Sequence, residues 1–182
     1  MSQKLYNQLI QGTQGLANGT LRDVILPAIL GKETDEMLYW IGKDLARAYP
    51  VATTTDLITL TSQLGLGTLV QRKHSKTSQI WRLEGPIIKE RIHRDEEATS
   101  FGLECGFLAQ EIEFQLGTVT EAKIMDRHHD YVDLLVQNDP QTDANDERTE
   151  MATFIQLQYP DQPTKPAKKK GLLHRREKRV KK

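Results

Sequence analysis

FGLECGFLAQEIEFQLG, Phe101 to Gly117, decides how the rest of the chain is read. At 100° per residue, Leu103, Phe107 and Phe114 fall on one side of a helix, and Cys105, Leu108, Ile112 and Leu116 on the other. Between the two apolar sides run a polar strip of Glu104, Glu111 and Gln115 and a small-residue strip of Gly102, Gly106 and Ala109. A helix that is apolar on two sides has to be covered twice, so it is expected between two layers. A sheet on one side and the early helices on the other fit this need; a partner subunit or an apolar ligand is the alternative cover for one face. The small-residue strip lets a second backbone come close.

Upstream, residues 1–18 are polar and Gln-rich and read as a loose lead-in. LRDVILPAILG, Leu21 to Gly31, reads as a helix ended by Gly31 and kinked or interrupted at Pro27, whose ring removes a donor and crowds the preceding turn. Thr34 or Asp35 can cap a helix bearing Leu38, Ile41, Leu45 and Ala48, which stops before Pro50. Thr53 with Asp56 imitates a capping box before a helix carrying Leu57, Leu60 and Leu64 and closed by Gly65. The period then changes: GTLVQRK and SQIWRLE, joined by HSKTS, read as a β-hairpin. IIKERI is an edge strand or a short extended arm, and Thr99 or Ser100 caps the helix at 101–117. TEAKIMD and YVDLLVQN are two further strands around a polar RHHD. Helices, then strands, then a helix, then strands argue for an α+β domain over 19–138 with a mainly antiparallel sheet.

Residues 139–159 read as an acidic linker with MATFIQLQY as a possible extra strand, and 160–182 as a disordered basic tail. Charge follows the same division. The 25 basic and 25 acidic residues cancel over the whole chain, yet the segment from Asp161 onward holds ten basic and two acidic residues, leaving an acidic body. With 37% hydrophobic residues and no apolar run near the roughly 18 residues a membrane span requires, a transmembrane protein is excluded. A single cysteine and an N-terminus without an apolar signal region set the expectation of a cytoplasmic protein.

Chemistry is sparse. His74, His93, His128, His129 and His174 have no zinc-type spacing, and adjacent histidines in a strand or turn point apart, so no metal site is expected. Cys105 shares a face with Leu108 and Ile112 and has Glu104 beside it, which favours a small buried hydrophobe over an activated thiolate. Gly65-Leu66-Gly67 lacks the rest of a phosphate loop, and no G-x-S-x-G is present, so no catalytic set is named and no enzyme is expected. In the tail, Lys168, Lys169, Lys170, Arg175, Arg176, Lys178 and Arg179 form a candidate anion-binding arm for nucleic acid or anionic membrane. A solubilising tail, or one folded back on the acidic body, is the alternative.

MLYWIGKDLARAYP, LGLGTLV, WRLEGPIIKERI and FGLECGFLAQEIE together resemble, in order and spacing, the YslB family of small proteins from Gram-positive bacteria, over about residues 20–138. Tyr39, Trp40, Gly42, Lys43, Leu45, Ala46 and Arg47 match its first motif, Leu83 to Ile88 its third, and Gly106, Phe107 and Ala109 its fourth. That family in turn looks like the 4-vinyl-reductase-type domain, whose fold is shared with TRAPP tethering-complex subunits and haem nitric-oxide sensors. The resemblance implies helices on an antiparallel sheet with an apolar pocket between them. It carries over no haem, because Tyr-x-Ser-x-Arg does not occur here, and no cofactor is expected.

Tyr39, Trp40 and Gly42 on the second helix, with Cys105, Gly106, Phe107 and Ala109 on the later one, are the residues expected to face each other, around an apolar small molecule or merely packed. The reading is a non-enzymatic module for an acyl chain or hydrocarbon. A homodimer or protein adaptor without ligand is the alternative.

Overall fold

The computed structural model describes residues 2–95, 99–144 and 153–159. Seven α-helices are α1 (Ser2–Gln11), α2 (Gly15–Thr20), α3 (Leu26–Leu30), α4 (Thr34–Ala48), α5 (Thr54–Gln63), α6 (Pro86–Arg94) and α7 (Gly102–Leu116). Four strands, β1 (Thr68–His74), β2 (Ser78–Glu84), β3 (Thr118–Arg127) and β4 (Val132–Asp143), form one antiparallel sheet in the order β1-β2-β4-β3. The α+β class is as the element order predicts. No helix among the described residues is long and apolar enough to cross a membrane.

α7 lies between α4 on one side and strands β3 and β4 on the other. Residues 103–113 of this helix are all buried, which is what an element with two apolar sides requires. The small-residue strip is used inside the chain. A Cβ on Gly42 would stand 2.8 Å from the Phe107 nitrogen, one on Gly106 would overlap the Tyr39 carbonyl, and one on Gly102 would meet the Asp35 carbonyl. The buried face of α4 is accordingly Leu38, Gly42 and Ala46, with Lys43 beside it, while Ala48 is exposed. The apolar stripe expected at Leu38, Ile41, Leu45 and Ala48 is therefore rotated, because the contact is made through small side chains that contribute little hydrophobic signal.

The three glutamates of α7 tie it to different neighbours. Glu104 accepts from Arg91 of α6 at 3.1 Å and from Arg22. Glu111 accepts the Val51 N–H at 3.0 Å, ahead of α5, and Glu113 accepts the Thr120 N–H at 3.0 Å in β3. The N-cap position is Phe101 and not Thr99 or Ser100; the Ser100 hydroxyl, one residue earlier, accepts the Gly102 N–H at 3.1 Å, and Gly117, at φ 70°, takes the left-handed conformation that ends the helix.

Several expectations are corrected. Residues 1–18 are not a loose lead-in: α1 and α2 are helical, Leu9 is buried, and Thr13 bonds Glu90 of α6 through its N–H (2.8 Å) and hydroxyl (2.6 Å). A polar, Gln-rich composition hides helices of this kind, because glutamine is a good helix former and few apolar contacts are needed once α6 supplies polar ones. IIKERI is neither edge strand nor arm. It lies in α6, which starts at Gly85 (φ 109°) with Pro86 in its first turn and buries Ile88, Arg91 and Ile92. Proline at this position is pre-set for a helix, and glycine supplies the turn that no side chain would tolerate there. At Pro27 the expected interruption takes the form of a change of helix type: a π-turn over Leu21–Ile25, with Leu26 N–H bonded to Leu21 O, leads directly into α3, which has Pro27 in its first turn. Thr34 lies inside α4, and its hydroxyl returns to Gly31 O at 2.6 Å instead of capping. The acidic linker begins later than expected, since β4 runs to Asp143. Residues 153–159 form no strand. They are held by Ile155 N–H to Pro50 O at 2.9 Å, and Ile155 and Leu157 pack on the core.

The hairpin β1–β2 and the Thr53 cap of α5, which accepts Asp56 N–H at 3.1 Å, are as expected. The helix closes where Gly65 was expected to stop it, through Gly65 N–H to Ser62 O and Leu66 N–H to Thr61 O.

Two outcomes follow from the packing of α7. Gly106→Ala should cost about 3 kcal/mol or more in urea unfolding, because the added methyl overlaps backbone that cannot move aside without parting the two helices. Burial pushes the Glu111 carboxyl up to about 8, with the Val51 N–H pulling the other way. Its folded pKa thus lies above that of the unfolded chain, so the stability tied to the neutral carboxyl is complete below the unfolded pKa and is lost as pH rises through about 8. Stability of the native protein should fall between pH 5 and pH 8 by more than that of Glu111→Gln, the difference reaching on the order of 2 kcal/mol.

Candidate functional site

Alongside the contact of α4 with α7, an open groove of about 410 Å³ runs between α4, the start of α7 and the edge strand β3. Tyr39 and Trp40 form one wall, Gly102 and Cys105 the base, and Ala122 and Ile124 the opposite wall. Asp35, Glu36 and Lys123 supply the polar rim. Trp40 is 57% exposed, an unusual state for an indole in a protein whose other tryptophan, Trp81, is fully buried.

The tyrosine is fixed by the sheet edge. Its hydroxyl accepts the Ala122 N–H at 3.3 Å and donates to the Glu121 carboxylate. Lys43, one turn further along α4, donates to Glu121 at 3.0 Å and toward Thr120 O at 3.5 Å. An edge strand leaves N–H and C=O groups open, and here two side chains of α4 satisfy them. Lys43 is itself buried to 4% exposure, with its ammonium 5.6 Å from the Tyr39 ring centre and 5.7 Å from that of Trp40. Burial and the Glu121 carboxylate raise the Tyr39 pKa well above its ordinary value, so the phenol stays protonated.

Cys105 is 3% exposed, and burial pushes its thiol up to about 12, with Glu104 adding to the shift. It is a small apolar group at the base of the groove, and the Arg127 charge, which pulls the thiol pKa down, is outweighed by burial and Glu104, so the thiol is not an activated nucleophile.

Of the seven residues expected to face each other, Tyr39, Trp40 and Cys105 line the groove. Gly42 and Gly106 form the helix crossing beneath it. Phe107 and Ala109, at 1% and 0% exposure, belong to the core. Lys43 matches the family motif but is not expected at the site from sequence, and Glu121, Ala122 and Ile124 read there only as part of a strand. Lys43 carried a signal, four residues after Tyr39 on one helix, but its partners on β3 are some eighty positions away and only the fold brings them in. The candidate anion-binding residues Lys168, Lys169, Lys170, Arg175, Arg176, Lys178 and Arg179 lie outside the described residues.

A second cavity, of about 420 Å³, opens between α1 and α6 and is rimmed by Lys4, Gln8 and Arg94. Its charged floor is already engaged: Arg91 donates to Asp23 (3.2 Å), Glu104 (3.1 Å) and Ser100 O (2.8 Å), Arg22 pairs with Glu104, and Arg94 pairs with Asp23. These bonds join the N-terminal helices to α6 and α7.

Fold and groove define an α+β domain built around a helix buried between a helical layer and an antiparallel sheet. Residues 15–137, from α2 into β4, match a family described as a protein of unknown function, DUF2507. A curated relative, the uncharacterized protein YslB of Bacillus subtilis (strain 168), is 34% identical over 102 residues, covering 56% of this chain and 68% of that protein. The chain belongs to this family, in agreement with the four motifs that run from α4 to α7.

The groove geometry sets an expectation for the thiol. In the folded protein at neutral pH, iodoacetamide should leave Cys105 unmodified, and in urea it should alkylate it fully, as read by intact mass.

Proposed function

We propose that this protein is a non-enzymatic cytoplasmic binding module that takes an apolar small molecule, an acyl chain or hydrocarbon, in the groove between α4, α7 and β3. The observation that carries the reading is the exposed Trp40 beside a groove whose wall and base include Tyr39, Cys105, Ala122 and Ile124. A volume of about 410 Å³ lies within the roughly 300–1,000 Å³ of small-molecule sites. The polar rim of Asp35, Glu36 and Lys123 would set the orientation of an amphipathic guest. The likeness of the YslB family to 4-vinyl-reductase-type domains supports an apolar occupant. The site differs from the pocket that likeness implies, because the space between α7 and the sheet is filled by core side chains and the groove lies at the surface.

A second reading, self-association without a ligand, is favoured by another observation. Leu21, Ile25 and Ile29 follow one another at four-residue steps through the π-turn and α3 and are 53%, 43% and 74% exposed. This stripe, and not the Gly102, Gly106 and Ala109 strip that α4 covers, is the surface a second copy would use.

Tryptophan emission separates the two readings, since Trp81 is buried and Trp40 reports the groove. Titration with a long-chain fatty acid should shift the emission of the native protein to the blue and leave Trp40→Phe unchanged, and native mass spectrometry should show one bound lipid per chain. A dimer mass without lipid, abolished by Ile29→Glu, together with no emission shift, would reject the ligand in favour of self-association.

A further inference from the structure

The neighbouring histidines of the β3–β4 turn point in different directions, as their adjacency requires. His128 stacks on Tyr131, with ring centres 4.2 Å apart, whereas His129 turns toward α6. There its Nδ1 lies 3.1 Å from His93 Nε2 and 2.9 Å from Asp130 Oδ1, and His93 Nε2 lies 3.5 Å from the same carboxylate oxygen. We propose that His93, His129 and Asp130 form a binding site for one divalent transition-metal ion of the zinc class, bridging the end of α6 and the β3–β4 turn.

Geometry is the first argument. A tetrahedral zinc ion with bonds of about 2.0–2.1 Å sets its ligand atoms about 3.3–3.4 Å apart. The three observed separations bracket that value, so the donor atoms already outline one face of such a polyhedron. Chemistry is the second. Two imidazole nitrogens and one carboxylate oxygen suit zinc, cobalt and nickel, and three protein ligands leave a position open for water. Two imidazole nitrogens 3.1 Å apart need a proton between them, and a divalent ion would take that bridging role using a lone pair from each ring.

The fold holds the three groups in place. His93 sits in the last turn of α6, and the turn bearing His129 and Asp130 is closed by His128 N–H to Tyr131 O at 2.9 Å. Lys89, one helical turn before His93, pairs with Asp130 at 3.0 Å. The carboxylate is thus already engaged by a cation, and that cation is half exposed and on a flexible stem, so it can be released to water when a metal ion arrives. The competing account is that Lys89, His93, His129 and Asp130 are only a polar latch between α6 and the sheet.

Cobalt(II) titration of the full-length chain without an affinity tag, followed by its visible absorption and by calorimetry, distinguishes these accounts. One saturable site per chain is expected. His93→Gln and His129→Gln should each weaken binding by roughly tenfold or more, His128→Gln should leave it unchanged, and Lys89→Met should tighten it by removing the competing cation. His93, His129 and Asp130 are all exposed by a third or more, so the substitutions leave the core untouched, and unaltered circular dichroism checks this. No saturable uptake, or uptake unaffected by His93→Gln and His129→Gln, would overturn the site and leave the latch.

Discussion

The structure depends on one close approach, the crossing of α4 over α7 through Gly42, Gly102 and Gly106. Side chains at these positions would strike backbone atoms of the opposite helix, so the helices touch main chain to main chain. That contact sinks α7 deep enough for β3 and β4 to cover its other side, and residues 103–113 are all buried. Burying so much of one helix has a consequence for its polar residues. Glu104, Glu111 and Glu113 are buried, and each finds a donor in a different part of the chain.

The carboxylates solve this in two ways. Glu104 sits among Arg22 and Arg91, and Arg91 in turn holds Asp23, so charge is compensated and the N-terminal helices are fastened to α6 and α7. Breaking a buried pair of this kind leaves a lone charge, which is costlier than never having had the pair. Glu111 has a backbone N–H and no cation, and burial keeps it protonated through neutral pH. One helix therefore carries both a charged and a neutral buried carboxyl, separated by two turns.

The groove follows from the same crossing. α4 passes over the edge of β3, where Tyr39 and Lys43 satisfy its open backbone groups, and Trp40, the next position round the helix from Tyr39, is carried past the sheet edge into solvent. Cys105 closes the base because it lies between Gly102 and Gly106, where α7 meets the backbone of α4 at Asp35 and Tyr39. Beyond the end of β3, α6 reaches the β3–β4 turn with Lys89 and His93, so the sheet is gripped at two places by polar side chains from helices.

Much of this was legible in the sequence. The doubled apolar pattern of 101–117 required a helix between two layers, Thr53 with Asp56 marked a cap, and a change of period marked the hairpin. All three are local signals, carried by residues within one or two turns of each other. What the sequence could not disclose has a common physical cause. Gly42 and Gly106 have no side chain to create a hydrophobic signal, so the rotation of α4 was invisible until the second backbone was in place. Gln-rich α1 and the α6 segment after Gly85-Pro86 have weak apolar patterns, and their helices are held by distant polar partners such as Thr13 with Glu90 and Arg91 with Glu104. Tyr39 with Ala122, and His93 with His129, are joined only when the chain is folded. Sequence by itself determined the class of fold, the central helix and the family. Tertiary structure alone decided which face of α4 is buried, where the groove opens and which titratable groups meet, because those outcomes depend on distances between residues that the chain places far apart.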